Sequence, residues 1–579
     1  YGKLRYITLA TGGHVDHGKT SLIKALTSID TDRLPEEKRR GMSIDVGFAF
    51  IDLQKINTRV EIIDVPGHER FLKNAIAGLS SAQGLILVVD ANEGLMPQTV
   101  EHIKLAKSFG IEHCVVAITK IDRADPELIK LVKEDVEEFL RKEDVKCFGF
   151  YLVSSTEGIG LEELKEGIAH YVESLPEPPK DAFFRLNVDS AFHIRGYGTV
   201  LRGSCVSGTV KEGDTLILEP LGIQAKVRNI QNHGSFVKEG KAWQRLAINL
   251  PEIDHKLVER GFWLVKKEEL LKTKIILISA DGIKPGKEYT FFFGMRGVSG
   301  IPRHIHENTY MVRLSQQVVC VRDERGAILD SSGRFVSGYK LLHPNPKRLS
   351  KTFIKKHLHL LGEDPTTYYL LEAGVKGISI KELSAAFGRA INPQHTQSVR
   401  IGDVLYHPHT LKQVKERLLG LIQNSKGVVK LAEVVSKLKI TQGVLNYILK
   451  DLRGYTVVEG YLLDEKSAKI EELESFKKLM EFMQEGIKEE KELLHFKDIL
   501  TVAVKKGYIH SLGEFLYIRD DIFKNFVEKL KELGDTFSVQ QAKEKLGLTR
   551  KYLIPLLEYM DLKGLTRREG NVRKFTREV

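Results

Sequence analysis

The hydrophobic pattern changes character twice along the chain. In the first third, near-continuous apolar runs such as GLILVVD (Gly84–Asp90) and HCVVAITK (His113–Lys120) alternate with amphipathic stretches such as LIKLVKEDVEEFLRKE (128–143). Runs of the first kind predict strands buried on both faces, and the alternation predicts a parallel sheet covered by helices. After ESLPEPPK (Glu173–Lys180) the pattern becomes short strands between turn signals, as in GTVLRGSCVSG, VKEGDTLIL, KEYTFFFG and QQVVCVRD. That spacing predicts all-β structure, two small barrels. After a second proline-rich joint, LLHPNPKRLSK (Leu341–Lys351), helical periodicity dominates, and residues 428–463 can be laid over residues 537–575. Each copy reads helix, turn, helix, then two short strands about a glycine, and looser copies at a period of roughly 55–60 residues predict tandem winged-helix modules.

The fold class expected is therefore multidomain: an α/β P-loop domain, two all-β barrel domains, then α+β winged helices. The expected boundaries are 1–175, 180–268, 269–345, 350–410, 411–466, 467–522 and 523–579. Proline sets the joints because it fixes φ and cannot donate to a ladder.

Composition narrows the class. Of 579 residues, 88 are Lys or Arg and 77 Asp or Glu, so the net charge of +11 makes an anionic partner, nucleic acid first, plausible. Four cysteines stand far apart with no CxxC pair, which argues for a reducing compartment and against a zinc ribbon. No apolar stretch reaches membrane-spanning length, and the opening residues do not read as a signal peptide. A cytoplasmic, membrane-free, monomeric protein is expected.

Gly13-His14-Val15-Asp16-His17-Gly18-Lys19-Thr20 satisfies G-x-x-x-x-G-K-[ST] between the strand YITLA and the helix that Ser21 opens. Its glycines let N–H groups surround phosphate oxygens, Lys19 adds positive charge, and the Thr20 hydroxyl can ligate Mg²⁺. Metal ligation by His14, His17 and Asp16 is disfavoured by their place in that loop. In DVPGH, Asp64 is placed for a water of the Mg²⁺ shell and Gly67 for the γ-phosphate. Thr119, Lys120 and Asp122 close an apolar strand, and the Asp122 carboxylate can accept both N1–H and the exocyclic amine of guanine. Ser154, Ser155 and Thr156 follow another strand and can offer N–H to guanine O6. These stations in this order specify GTP and GDP over adenine nucleotides.

The motifs GHVDHGKT, RGMSI, DVPGHERF and TKID resemble those of the translational GTPases, the family of elongation factor Tu. The resemblance implies that Ser43 reaches Mg²⁺ when GTP is bound and that His68 orients the attacking water behind a gate of Val15 and Met42. It also marks two departures. Ser43 stands where the family has threonine, and Thr119 where it has asparagine; the second is expected to loosen the tie between base and phosphate loop. DSAFHIRGYGTVLRGSCVSGTVKEGDTL is similar to the tRNA-binding second domain of the same family. Similarity to selenocysteine-specific elongation factors extends to the closing stretch and implies an aminoacyl pocket of Asp189, Ser190 and Arg245. There a guanidinium would favour the selenolate and a carboxylate the α-ammonium.

The tail resemblance implies that the last module grips an mRNA hairpin with Arg550, Lys551, Arg567, Arg568, Asn571, Arg573 and Lys574. The implied function is GTP-dependent delivery of selenocysteyl-tRNA to the ribosome at a recoded UGA codon. The alternatives are a general delivery or initiation GTPase whose tail binds ribosomal RNA, and a winged-helix adaptor in which GTP is only a structural ligand.

Overall fold

The computed structural model describes residues 4–28, 47–66 and 72–576. Ser43 and Met42 of the expected switch, and Gly67 and His68 of DVPGH, lie outside the described residues. The chain forms two compact units, Tyr1–Glu372 with Ile378–Thr396, and Ala373–Gly377 with Gln397–Val579.

The first unit opens with the expected α/β domain. Its elements are β1 (Arg5–Gly12), α1 (Lys19–Thr27), β2 (Gly47–Leu53), β3 (Thr58–Asp64), α2 (Leu72–Ser80), β4 (Gly84–Asp90), α3 (Pro97–Ser108), β5 (His113–Thr119), α4 (Pro126–Lys142), β6 (Lys146–Leu152) and α5 (Leu161–Ser174). The sheet order is β2-β3-β1-β4-β5-β6, parallel except for β2. Every residue of β4 is buried, as a strand with helices on both faces requires. In α4, Val132, Val136 and Leu140 recur at helical spacing and face the core, while Asp125 caps the helix by accepting from the Glu127 N–H. Because β1 lies between β3 and β4, the loop after it opens at the carboxyl edge where the strand order reverses, a position that favours ligand binding.

The next region, expected as a barrel, differs in closure. Eight strands form one curled ladder, and a separate ribbon pairs Thr209–Lys211 with Glu239–Lys241. The ribbon packs its Val210 into the same apolar core as Leu186, Leu201 and Leu246, so side chains close what backbone hydrogen bonds leave open. The following six strands form a closed barrel. Its Phe292, Ala327 and Leu329 enter the core built by α2 and α3, and Gly338 lies so close to Ser108 that an added Cβ would sit 2.5 Å from its side chain.

The stretch 350–410, expected as one winged-helix module, is divided. Its helices Lys351–Glu363 and Pro365–Ala373 share a core with the closed barrel through Phe353, Ile354, Tyr368, Leu277 and Met311. Its hairpin Val399–Ile401 and Val404–Tyr406 packs instead with the helices that follow. In the second unit three further three-stranded sheets appear, each with the helix-helix-hairpin arrangement expected of a winged helix. Neighbouring modules are joined by shared cores. Val458 and Leu463 pack with Phe476 and Ile499, and Leu512, Leu516 and Ile518 pack with Leu553, Leu556 and Met560. No described helix is long and apolar enough to cross a membrane.

Candidate nucleotide site and RNA-facing surfaces

The phosphate loop is held from beneath by groups that the motif does not contain. Gly13 has φ +149°, and a Cβ there would lie 2.3 Å from the Val88 carbonyl oxygen, so glycine is the residue that fits. The Gly13 N–H donates to Nδ1 of His102 on α3 at 2.9 Å. His102 is fully buried, and burial first and the Lys19 charge second push its pKa down to about 3, which keeps it a neutral acceptor. The Val15 N–H donates to Gln98 Oε1 at 3.4 Å.

His17 uses both ring nitrogens. Nδ1 accepts from the Asp90 N–H at 3.2 Å, so Nε2 carries the proton toward Glu93 Oε2 at 2.6 Å. Although the donor atoms of His14, His17 and Glu93 converge within 4.8 Å, His17 therefore has no lone pair left for a metal. Asp16 is exposed.

Thr20 and Asp64 meet as expected: the Thr20 hydroxyl donates to Asp64 Oδ2 at 2.7 Å. A hydroxyl and a carboxylate in contact at the first turn of α1 are the hard oxygen donors that Mg²⁺ takes, so the residues fit that ion. Lys19 is buried, its Nζ donates to the Val65 carbonyl at 2.5 Å, and burial pulls its pKa down to about 8. Ser21 is exposed on α1.

Thr119, expected to loosen the tie between the base and the phosphate loop, contacts that loop directly. The Thr119 hydroxyl donates to the His17 carbonyl at 2.7 Å, and Lys120 Nζ reaches the Asp16 carbonyl at 2.5 Å and Asp90 at 3.3 Å. Threonine thus makes one of the links between the end of β5 and the phosphate loop, because its hydroxyl reaches that carbonyl directly. Asp122 stands exposed on the turn Ile121–Arg123. Ser154 is buried, and its N–H is already given to the Ile159 carbonyl at 2.9 Å.

Asp189, Ser190 and Arg245 come together, with Asp189 as a bulge: the register with the neighbouring strand shifts between Val188 and Ser190. Arg245 Nη2 donates to Asp189 Oδ1 at 2.9 Å and Oδ2 at 3.0 Å, and the Ser190 hydroxyl donates to Oδ1 at 2.9 Å. The other face of the guanidinium lies 3.8 Å from the ring centroid of Phe48 on β2. A cavity of about 310 Å³ opens beside it between the first domain and the curled ladder, lined by Phe48, Phe50, Glu61, Arg202, His233 and Arg245. Glu61 is buried, and His233 Nε2 lies 3.1 Å from its Oε1. Sequence reading missed His102, Gln98, Glu61 and His233. Glu61 and His102 are lone polar residues on otherwise apolar faces, Gln98 lies in the first turn of its helix and His233 in the turn between two strands, and none of these placements carries a chemical signal until the neighbouring element is known.

In the last module, Arg550 lies at the start of the helix Arg550–Leu562, and Arg567, Arg568, Asn571 and Lys574 are exposed on the hairpin. Two expected contacts are placed otherwise. Arg573 points inward and is buried, its Nε 3.0 Å from Asp561 Oδ2, because position 573 falls on the face of the hairpin that packs on the helix. Lys551 is exposed but paired with Glu489 of the preceding module.

Residues 4–174 match the family described as the elongation factor Tu GTP binding domain. Elongation factor Tu 2 of Streptomyces avermitilis is 32% identical over 44% of this chain and 71% of its own length. The fold and site, with these likenesses, define a translational GTPase, an enzyme that binds and hydrolyses GTP.

Beyond that domain, residues 472–519 match the third winged-helix domain of elongation factor SelB and residues 528–575 the SelB winged helix. A selenocysteine-specific elongation factor of Desulfomicrobium baculatum is 27% identical over 98% of this chain and 99% of its own. A crystal structure of a bacterial selenocysteine-specific elongation factor, EF-Sec, is 48% identical, covers 99% of this chain and 100% of its own, and has a TM-score of 0.75. The chain belongs to the selenocysteine-specific elongation factors.

Proposed function

We propose that the chain delivers selenocysteyl-tRNA to the ribosome at a recoded UGA codon, under GTP control, while its last winged helix holds an mRNA hairpin. The observation that carries the reading is the Arg245 guanidinium, held between Asp189 and Phe48 at the edge of an interdomain cavity. Its Nε is buried without a hydrogen-bond partner. An unmet donor of this kind costs about 1–3 kcal/mol, and an anionic side chain that reached the guanidinium edge would meet that donor beside the Asp189 pair. Selenocysteine supplies such an anion at neutral pH, whereas serine and cysteine remain largely neutral.

Asp189 is committed to Arg245, so its role is to orient the guanidinium. The carboxylate on the cavity is Glu61, which would exchange its contact with His233 for the α-ammonium. In the nucleotide site, Gly13 to Ser21, with Gly67, surround the phosphates, and Asp122 reads guanine. With the Ser154 N–H occupied, the N–H groups of Ser155 and Thr156 are left for guanine O6. Mg²⁺, held by Thr20, by Ser43 and through water by Asp64, would neutralise charge on the outer phosphates. The family resemblance gives His68 the positioning of the attacking water, with Val15 and Met42 as its apolar gate.

Equilibrium binding of the GTP form to tRNA carrying selenocysteine, cysteine or serine, at one salt concentration, tests the reading. A preference for selenocysteine of 100-fold or more, about 3 kcal/mol, is expected, and Arg245→Ala should erase most of it. Equal binding of all three would reduce the chain to a general delivery GTPase.

A further inference from the structure

Between the third and fourth winged-helix modules lies a cleft of about 960 Å³. Five lysines line it: Lys505 and Lys506 from the third module, and Lys524, Lys531 and Lys563 from the fourth. Two carboxylates line it as well, Asp520 and Glu528. Asp520 is shared, 2.6 Å from His510 Nε2 and 3.1 Å from Lys524 Nζ, while Glu528 lies 3.4 Å from Lys531 Nζ. Lys563 lies against the Tyr559 ring, its Nζ 5.6 Å from the centroid. Lys505 pairs with Glu465 at 2.5 Å and Lys506 donates to the Ala468 carbonyl; with five lysines against three carboxylates the rim still carries more positive than negative charge, and Lys524 in particular is 74% exposed.

The floor is ordered. His510 of the third module contacts the Tyr559 hydroxyl at 2.7 Å, and His510, Phe523 and Tyr559 pack ring against ring at 4.7–5.5 Å between centroids. Leu512, Leu516 and Ile518 anchor the same two modules to one core. The lysines thus stand on fixed walls, so binding a polyanion orders their side chains but not the backbone that carries them. The cleft sits at the Tyr559–Lys563 end of the helix that begins at Arg550, about 20 Å away at 1.5 Å per residue. Its lining ends at Leu565, two residues before Arg567, so the cleft adjoins the exposed hairpin, yet four of its five lysines come from other elements and its charge stands whether or not that hairpin reads a message.

We infer that this cleft is a second RNA site, which seats a phosphodiester backbone on its lysine rim and reads shape and charge instead of sequence. Phosphate is the ligand chemistry that a lysine cluster on rigid walls recognises, each contact displacing a counterion from the RNA. The volume and the two-module width suit a continuous strand or helix edge better than a single small anion. A lysine cleft beside a hairpin that faced RNA would let the factor engage two RNA segments at once, which raises the effective concentration of each for the other.

The test uses the full chain and a blunt 20-base-pair RNA duplex without a loop, with binding followed by fluorescence anisotropy between 50 and 300 mM salt. Changing Lys524, Lys531 and Lys563 together to Ala should weaken duplex binding tenfold or more at the lower salt. It should also flatten the slope of log Kd against log salt by about 2, since each phosphate left without its lysine removes about 0.7–0.9 from that slope. The corresponding triple Arg variant should keep both affinity and slope, which separates charge from fold. A triple Ala variant that binds the duplex with unchanged affinity and slope overturns the inference. Inorganic tripolyphosphate distinguishes the source of phosphate. If it saturates the wild type but not the triple Ala variant, while duplex binding is the same in both, the cleft takes a free polyphosphate and the RNA assignment fails. Loss of duplex binding only when Arg567 and Arg568 are changed to Ala overturns it as well.

Discussion

Thr119 shows how little a single residue type reveals without its neighbour. Read along the chain, it replaces an asparagine and weakens an expected link. In the fold its hydroxyl donates to the His17 carbonyl at 2.7 Å and the link is made. A buried neutral hydrogen bond contributes about 1 kcal/mol, so Thr119→Ala should weaken GDP binding by roughly fivefold. A GDP titration checks this, and unchanged affinity would mean that the contact does not reach the nucleotide. Arg573 is the opposite case. Arg567 and Lys574 face each other directly across the exposed side of the hairpin, with Glu569 2.5 Å from Arg567 to offset the like charge. Arg573, one position earlier, turns inward to Asp561 and serves the module's stability.

At the scale of elements, α3 acts as a brace for the nucleotide site. Its Gln98 and His102 accept from the N–H groups of Val15 and Gly13, which aligns the loop between β1 and α1. That brace has a pH signature. The native pKa of His102, about 3, lies below the ordinary 6.5, so the unfolded chain takes up a proton that the native domain refuses. The contribution is constant above pH 6.5. Below that, stability falls by about 1.4 kcal/mol per pH unit toward pH 3. His102→Gln keeps an acceptor but removes the titration. Urea unfolding of the nucleotide domain at pH 7.5 and 5.5 should therefore show a smaller acid loss in the variant, by about 1.4 kcal/mol. Equal losses would show that another group controls acid stability.

At the scale of the molecule, cores cross the boundaries that the sequence suggested. The closed barrel shares apolar clusters with the α/β domain and with the helices at 351–373, and the last two modules share one core through Leu516. Leu516 belongs to the third module but is buried with Leu553 and Leu556 of the fourth. Leu516→Ala should thus loosen both modules, by about 3 kcal/mol for a buried leucine. Amide hydrogen exchange would report it as a parallel loss of protection in 509–518 and 553–560. Loss confined to 509–518 would show that the modules unfold separately.

The sequence alone determined whatever repeats with a local period or depends on residues adjacent in the chain. The α/β alternation, the change to short strands, the winged-helix echo and the phosphate loop were all legible, because periodicity and loop chemistry act over a few residues. Only the tertiary structure decided the rest. It turned Arg573 inward, committed Asp189 to Arg245, brought Glu61 and His233 to one cavity and set five lysines around one cleft. Those outcomes depend on which face of an element meets which distant neighbour, and packing settles that only when the cores form.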